Sequence, residues 1–287
     1  MKKIAWIGTG VMGNAMVSHL INAGYSCNVY NRSKEKMLNL KDKAKICDSI
    51  QETVSDADII FTMVGYPKDV NEVYCADYGI FNHCKENALC IDMTTSAPSL
   101  AIELANKARE KGVRVLDAPV SGGDVGARNA TLSIMVGGHL SDYDEALKYF
   151  QLMGKLITYI GEHGSGQHCK MANQIVVAGN IAAVTEAISY IQSKGLDENR
   201  ILQAISGGAA GSWQLSNNGP KILKQDYNPG FYIHHFIKDL KLVCDEAENE
   251  HLYLSVVKDV LSKYEKIANE GYASLGTQAL IKAYSKD

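Results

Sequence analysis

Lys3-Ile4-Ala5-Trp6-Ile7-Gly8-Thr9-Gly10-Val11-Met12-Gly13 is the stretch whose reading decides the fold. An apolar run ends at Gly8, two more glycines follow, and helix-spaced apolar residues (Val11, Met12, Met16, Val17, Leu20) take over. A dinucleotide site asks for this order. The first glycine allows a tight strand-to-helix turn, the second lets backbone approach a pyrophosphate, and the third lets the helix pack closely on the strand. The helix start then offers N–H groups and partial positive charge to the phosphates. Gly8, Thr9, Gly10, Val11, Met12 and Gly13 are therefore candidate cofactor contacts. A glycine-rich turn that binds nothing has the same letters, so the surrounding pattern has to discriminate.

Working outward, the first 160 or so residues alternate short β-type runs (4–7, 26–30, 59–64, 88–93, 114–116, 132–136 and 156–160) with helical patterns. Most runs are continuously apolar, the mark of strands covered on both faces. Gly24 and Gly112 close helices, Pro98 opens one, and Ser141 with Asp144 resembles a capping pair for a helix over 142–153. Strand–helix repetition of this kind predicts an α/β fold with a largely parallel, doubly wound sheet.

Beyond Gly161-Glu162-His163-Gly164-Ser165-Gly166, read as a glycine-rich hinge, the period becomes helical throughout. A pattern about 30 residues long, roughly 45 Å as a helix, covers about 165–194. Being apolar nearly all round, it is expected to be buried between domains or subunits. Shorter helices are expected at about 197–206, with Asp197 as N-cap, and at 212–224, 237–250, 254–270 and 275–284. The expected domains are 1–163, binding the dinucleotide, and 164–287, all-helical.

Composition narrows the function. The chain has 287 residues, 46% hydrophobic and 21% charged, with a net charge of −3. That is a globular composition, with no electrostatic reason to expect nucleic acid as a partner. Met1-Lys2-Lys3 imitates the start of a signal peptide, but the glycines end the apolar run too early. Asn173, Gln174, Asn180 and Glu186 interrupt the long apolar stretch, favouring a buried helix over a membrane span. Seven cysteines without a C-x-x-C pair point to a reducing cytoplasm, with no metal site. His163, His168 and Cys169 lack a second cluster to complete a ligand set, and the adjacent His234 and His235 read as packing or substrate-edge residues.

The second strand ends at Asn31-Arg32-Ser33, about 20 residues past the glycines, where an NAD enzyme places a carboxylate for the ribose 2′-hydroxyl. A guanidinium and a hydroxyl suit a 2′-phosphate instead, so NADP(H) is the expected preference with NAD(H) possible. Met63-Val64-Gly65 and Thr94-Thr95-Ser96 follow strands at the ligand-binding edge, as contacts or as ordinary turns. Ser121-Gly122-Gly123 is either a nest for a carboxylate or a plain glycine turn. Lys170 opens an apolar helix with Asn173 on the same face; it is either a partnered or activated amine, or a lysine reaching solvent.

Four motifs taken together resemble the β-hydroxyacid dehydrogenases, which include 3-hydroxyisobutyrate dehydrogenase, tartronate semialdehyde reductase and glyoxylate/succinic semialdehyde reductases. They are Gly8 to Met16, Asp117 to Gly123, Gly161 to Asn173, and Lys238-Asp239-Leu240. The resemblance implies a Rossmann domain, a long interdomain helix and an all-helical C-terminal domain that also serves oligomerisation, in a homodimer or homotetramer. It implies Lys170 as the catalytic residue beside Asn173, with Ser121, Gly122 and Gly123 on the substrate carboxylate. Thr95 and Lys238 would lie near the nicotinamide, and Phe231 and Asp239 in the substrate pocket. The chain departs from the family's usual Leu-Pro at Val64-Gly65 and from its Asn-Asn at Asn173-Gln174. The reaction implied is hydride exchange between the nicotinamide and a small aldehyde or keto acid. The alternatives are an imine reductase of the same fold, whose members generally lack this lysine, and a cofactor-binding module without catalysis.

Overall fold

The computed structural model describes residues 2–284; Met1 and residues 285–287, the last of the expected C-terminal domain, lie outside the described residues. Two compact units divide the chain after Lys170. In the first, β1 (Ile4–Ile7) turns into α1 (Val11–Asn22), then β2 (Cys27–Tyr30), a 3₁₀ segment at Lys34–Leu40, β3 (Lys45–Ile46), α2 (Ile50–Val54) and β4 (Ile59–Thr62). Next come α3 (Pro67–Cys75), α4 (Ile80–His83), β5 (Leu89–Asp92), α5 (Pro98–Glu110), β6 (Arg114–Asp117), β7 (Val120–Ser121) and α6 (Gly123–Arg128). β8 (Leu132–Gly137), α7 (Leu140–Phe150) and β9 (Gly154–Gly161) complete it. The strand order is β3-β2-β1-β4-β5-β6-β8-β7, with β9 paired to β8. Pairing is parallel from β3 to β6, antiparallel where β8 meets β6 and β7, and parallel again at β9.

The continuous apolar runs explain the layering. Every residue of β1 and β4 is buried. Alternate side chains point to opposite faces, so Ile4 and Trp6 join Met16, Leu20, Tyr149 and Phe150 on one side. Ala5 and Ile7 join Ile50, Val70, Tyr74 and Leu104 on the other. Gly24 at φ +89° and Gly112 at φ +66° supply the left-handed residues after α1 and α5.

Two local expectations are corrected. α7 starts at Leu140 with His139 as an uncapped N-cap, not through a Ser141–Asp144 pair. Asp142, in the first turn of α7, is ion-paired with Arg114 of β6, 2.8 Å away. β9 alternates in exposure rather than being covered on both faces, because it lies at an edge. The 161–166 stretch is partly helical: α8 (Ser165–Ser193) has already begun within it, and a Cβ on Gly166 would lie 2.5 Å from the Met135 carbonyl. Those glycines permit close packing.

The second unit is helical. α8 runs on into it, followed by α9 (Glu198–Ser206), a wide helical turn at Gln214–Asn218, α10 (Gly219–Leu223), α11 (Ile233–Asn249) and α12 (Ser255–Ile267). Asp197 caps α9 by accepting from the Arg200 N–H at 3.0 Å. Ala178, Ile181 and Ile188 of α8 pack with Phe236, Leu240 and Val243 of α11 and with Val257, Val260 and Tyr264 of α12. By length and composition α8 could cross a membrane; Ala178, Ile181 and Ile188 are buried in this core, while Val176 and Tyr190 are exposed.

The closest constraint on the first unit is at Gly13, where an added Cβ would meet the Gly8 carbonyl oxygen at 2.0 Å. Gly13→Ala is expected to destabilise the protein by roughly 1–3 kcal/mol, the usual cost of overpacking. An unchanged urea midpoint would contradict that reading of the turn.

Candidate active site

The glycine turn is built by contacts on three sides. Gly8 sits at φ +97°, its N–H donates to the Tyr30 carbonyl at 2.9 Å, and a Cβ there would lie 2.2 Å from the Met63 carbonyl. Gly10 differs: a Cβ there would meet nothing within 4 Å, so its open side faces free space. α1 begins with no side-chain cap and no acidic residue in its first turn, which leaves its opening N–H groups for an external acceptor. The Thr9 hydroxyl is buried with no hydrogen-bond partner among the described residues. These features fit a diphosphate.

Asn31 braces this turn: its Oδ1 accepts from the Thr9 N–H at 2.8 Å and its Nδ2 donates to the Ser33 carbonyl at 2.9 Å. Nearby Lys34 is paired with Asp48 at 2.6 Å. Arg32 is exposed and forms no ion pair among the described residues.

The carboxyl ends of the next strands carry a polar row. Thr62, Asp92 and Asp117 are register partners across β4, β5 and β6. The Asp92 carboxylate accepts from the Thr62 hydroxyl at 2.8 Å and from the Thr94 N–H at 3.1 Å. Burial nevertheless pushes its carboxyl up to about 6, with the charge of Asp117 adding to the effect. The Thr94 hydroxyl accepts from the Val64 N–H at 3.0 Å, tying together the loops after β4 and β5. Half-buried Thr95 stands between buried Thr94 and Ser96.

Asp117 closes the row by capping α8, accepting from the N–H groups of Gly164 at 2.8 Å and Gln167 at 2.9 Å. Burial also pushes its carboxyl up, while those two donors oppose the shift. The Gln167 side chain clasps the backbone on both sides of Thr95: Nε2 donates to the Thr94 carbonyl at 2.8 Å, and Oε1 accepts from the Ser96 N–H at 2.9 Å. One turn later Lys170, 6% exposed, donates through Nζ to the Val120 carbonyl at 2.8 Å. That carbonyl directly precedes Ser121, and then Gly122 at φ +133° and Gly123 at φ +61°. A buried amine thus lies at the strand that carries Ser121 and leads into a left-handed glycine turn, a set of groups suited to a carboxylate or a developing oxyanion.

In the second unit, Asn173 Nδ2 donates to Gln174 Oε1 at 2.7 Å. Gln174 Nε2 donates to Asp239 Oδ2 at 2.6 Å, and Asp239 Oδ1 lies 2.9 Å from Lys238 Nζ. His235, on the same helix, has its imidazole pushed down to about 4 by burial, then by the charges of His234 and Lys238. The half-buried Phe231 ring packs on Phe236, with centroids 5.6 Å apart. His163 is placed by the Val115 carbonyl at 3.1 Å and by edge-on contact with His139. Among the described residues no three His, Cys, Asp or Glu side chains group as metal ligands.

Three contributors went unread in the sequence: Asp117 as a helix cap, Gln167 as a clasp and Gln174 as a link. Gln167, Lys170 and Gln174 are all buried. Their i, i+3, i+7 spacing is one helix face, and a polar stripe in an otherwise apolar helix was the available signal.

Comparison with known proteins finds relatives along the whole chain. Residues 3–161 match the family model for the NAD-binding domain of 6-phosphogluconate dehydrogenase. Residues 164–284 match that for the NAD-binding region of NADP-dependent 3-hydroxyisobutyrate dehydrogenase. The chain is 48% identical to the uncharacterized oxidoreductase YkwC of Bacillus subtilis, covering 99% of each. It is 36% identical to the 2-hydroxy-3-oxopropionate reductase of Escherichia coli, over 98% of this chain and 96% of that one. Among solved structures it is similar to a Mycobacterium tuberculosis 3-hydroxyisobutyrate dehydrogenase with L-serine, at TM-score 0.91, 28% identity and 100% coverage of both chains.

Asp92 supplies a pH test of the polar row. A carboxyl at about 6 in the folded protein, against roughly 3.9 unfolded, holds its proton more tightly when folded. Its contribution to stability is therefore present at low pH and lost as pH rises through about 6. The Tm of the wild type should fall between pH 5 and 7.5 by a component that is missing in Asp92→Asn. Identical Tm–pH slopes in the two proteins would contradict the buried acid.

Proposed function

This chain belongs to the β-hydroxyacid dehydrogenase family, and we propose that it exchanges hydride reversibly between NADP(H) and a small carboxylic acid bearing an aldehyde or keto group. Membership makes it an NAD(P)-dependent oxidoreductase of hydroxy acids. The narrower reading rests on one observation above all, the buried Lys170 ammonium held 2.8 Å from Val120 O beside Ser121-Gly122-Gly123.

The nicotinamide, when bound, gives or takes the hydride. The protein's own groups do the rest. Lys170 gives a proton from Nζ to the substrate oxygen as that oxygen gains charge, and removes it in the oxidative direction. Asn173, one turn further along α8, orients the carbonyl, and Ser121, Gly122 and Gly123 hold the carboxylate, fixing its distance from the reacting carbon. Thr95, Met63 and Val64 line the cofactor side of the sheet edge. Lys238 reaches the cofactor, and Phe231 and Asp239 shape the substrate pocket.

Gly8 to Gly13 with Asn31 would hold the diphosphate and ribose. Arg32 and Ser33 select the 2′-phosphate, since a charge-assisted donor stands where a carboxylate would repel it. The E. coli relative, named for 2-hydroxy-3-oxopropionate, and the structure carrying L-serine both support a three-carbon acid. We further infer assembly as a homodimer or homotetramer, supported by exposed Val176 and Tyr190 on α8 and Tyr253 and Val256 near the start of α12. Light scattering at a single peak of monomer mass would remove that inference. Seven free cysteines suit a reducing cytoplasm.

NADPH oxidation measured against glyoxylate and the semialdehydes of tartronate, succinate and methylmalonate tests the reading. At least one is expected to turn over, with kcat/KM higher for NADPH than NADH by about tenfold or more, a difference of about 1.4 kcal/mol. Arg32→Asp should reverse that ratio. No turnover with any of the four, or an equal or better rate with NADH in the wild type, defeats the substrate class or the cofactor preference respectively.

A further inference from the structure

Gln174 is 2% exposed and spans from α8 to α11 with both ends of its carboxamide engaged. The direction of those bonds follows from chemistry. Asp239, ion-paired to Lys238 at 2.9 Å, presents only acceptors. Gln174 must therefore turn its NH₂ toward Asp239, which leaves its oxygen facing Asn173. Asn173 must in turn present its NH₂ to that oxygen, and its own carbonyl oxygen accepts no hydrogen bond from the other described residues. The ion pair on α11 thus dictates the rotamer sense of an amide on α8 through one buried glutamine.

We propose that Gln174 is a positioning residue that couples the Lys238–Asp239 pair to Asn173, so that both present a fixed hydrogen-bonding pattern to cofactor and substrate. This rests on the functional reading above, which puts Asn173 on the carbonyl and Lys238 near the nicotinamide. A shorter amide at position 174 would fall one methylene short of Asp239, so the link depends on glutamine's length. The charged or titratable groups around it are Asp239, Lys238 and His235 on α11, with Lys170 four residues earlier on α8.

Gln174→Glu gives a test that mere packing would not reproduce. A protonated glutamic acid copies the native pattern, its O–H donating to Asp239 and its C=O accepting from Asn173. Ionised, it has no donor and repels Asp239. The kcat of Gln174→Glu should approach the wild-type value at the acid end of its profile. It should then fall as pH rises, through an ionisation absent from the wild type, while Tm shows the protein folded across the range. Gln174→Met, of similar shape but without hydrogen bonds, should lose kcat roughly ten- to hundredfold at every pH, with NADPH still binding.

A wild-type-shaped pH profile in Gln174→Glu, or a loss in it that is the same at every pH, overturns the proposal, as does a Gln174→Met kcat within about twofold of wild type. Wild-type protein that reduces none of the four aldehyde acids defeats the functional reading, and the coupling with it. Wild-type turnover alongside a pH-independent Gln174→Glu defeats the coupling alone.

Discussion

The Asp117 carboxylate accepts the N–H groups of Gly164 and Gln167, and through them it fixes where the longest helix of the chain begins. A buried carboxylate is costly unless hydrogen-bonded, and the positive end of a helix offsets much of that cost. The fit is tight because Gly137 and Gly166 carry no side chain. A Cβ on Gly137 would lie 2.6 Å from Asp117 Oδ1, and one on Gly166 would lie 2.7 Å from the Asp117 carbonyl. With the helix start so constrained, Lys170 one turn later enters the first unit's interior and needs an acceptor. The Val120 carbonyl provides it.

The same edge of the sheet gathers the other candidate groups. β1 ends in the glycine turn, β4 in Met63 and Val64, β5 in the Thr95 loop, and β7 in Ser121. Parallel strands deliver all their carboxyl ends to one side, and that geometry makes such an edge a ligand site. The row Thr62–Asp92–Asp117 and the clasp of Gln167 keep these loops in register with each other. The first unit therefore holds an amine, a hydroxyl and a glycine-lined approach to a cofactor on one hydrogen-bonded frame.

Much of this could be read from the residues alone. Gly8, Gly10 and Gly13 stand between an apolar strand and an apolar-faced helix, and both periods survive in the structure. The long helix was legible because no glycine or proline breaks residues 167–178, and Asp197 announced the next one. Two-residue β3 and β7 carry too little pattern to see. The start of α7 was misread because the helix already begins at Leu140, so Ser141 and Asp144 lie inside it and no side chain caps it. Gln167 and Gln174 escaped for a different reason. Their partners are Thr94, Ser96 and Asp239, so the polar stripe along α8 marks a buried polar face without saying what it bonds to.

A single-turnover measurement on Lys170→Met addresses the central claim most directly. Protein loaded with NADPH is mixed in a stopped-flow cell with whichever aldehyde acid the wild type reduces fastest, and nicotinamide absorbance is followed. If the Lys170 ammonium supplies the proton, the hydride-transfer rate falls by about 10²–10⁴, while NADPH binds as it does to the wild type. Hydride transfer near the wild-type rate in that variant would remove Lys170 from the chemistry and leave the buried amine a structural one.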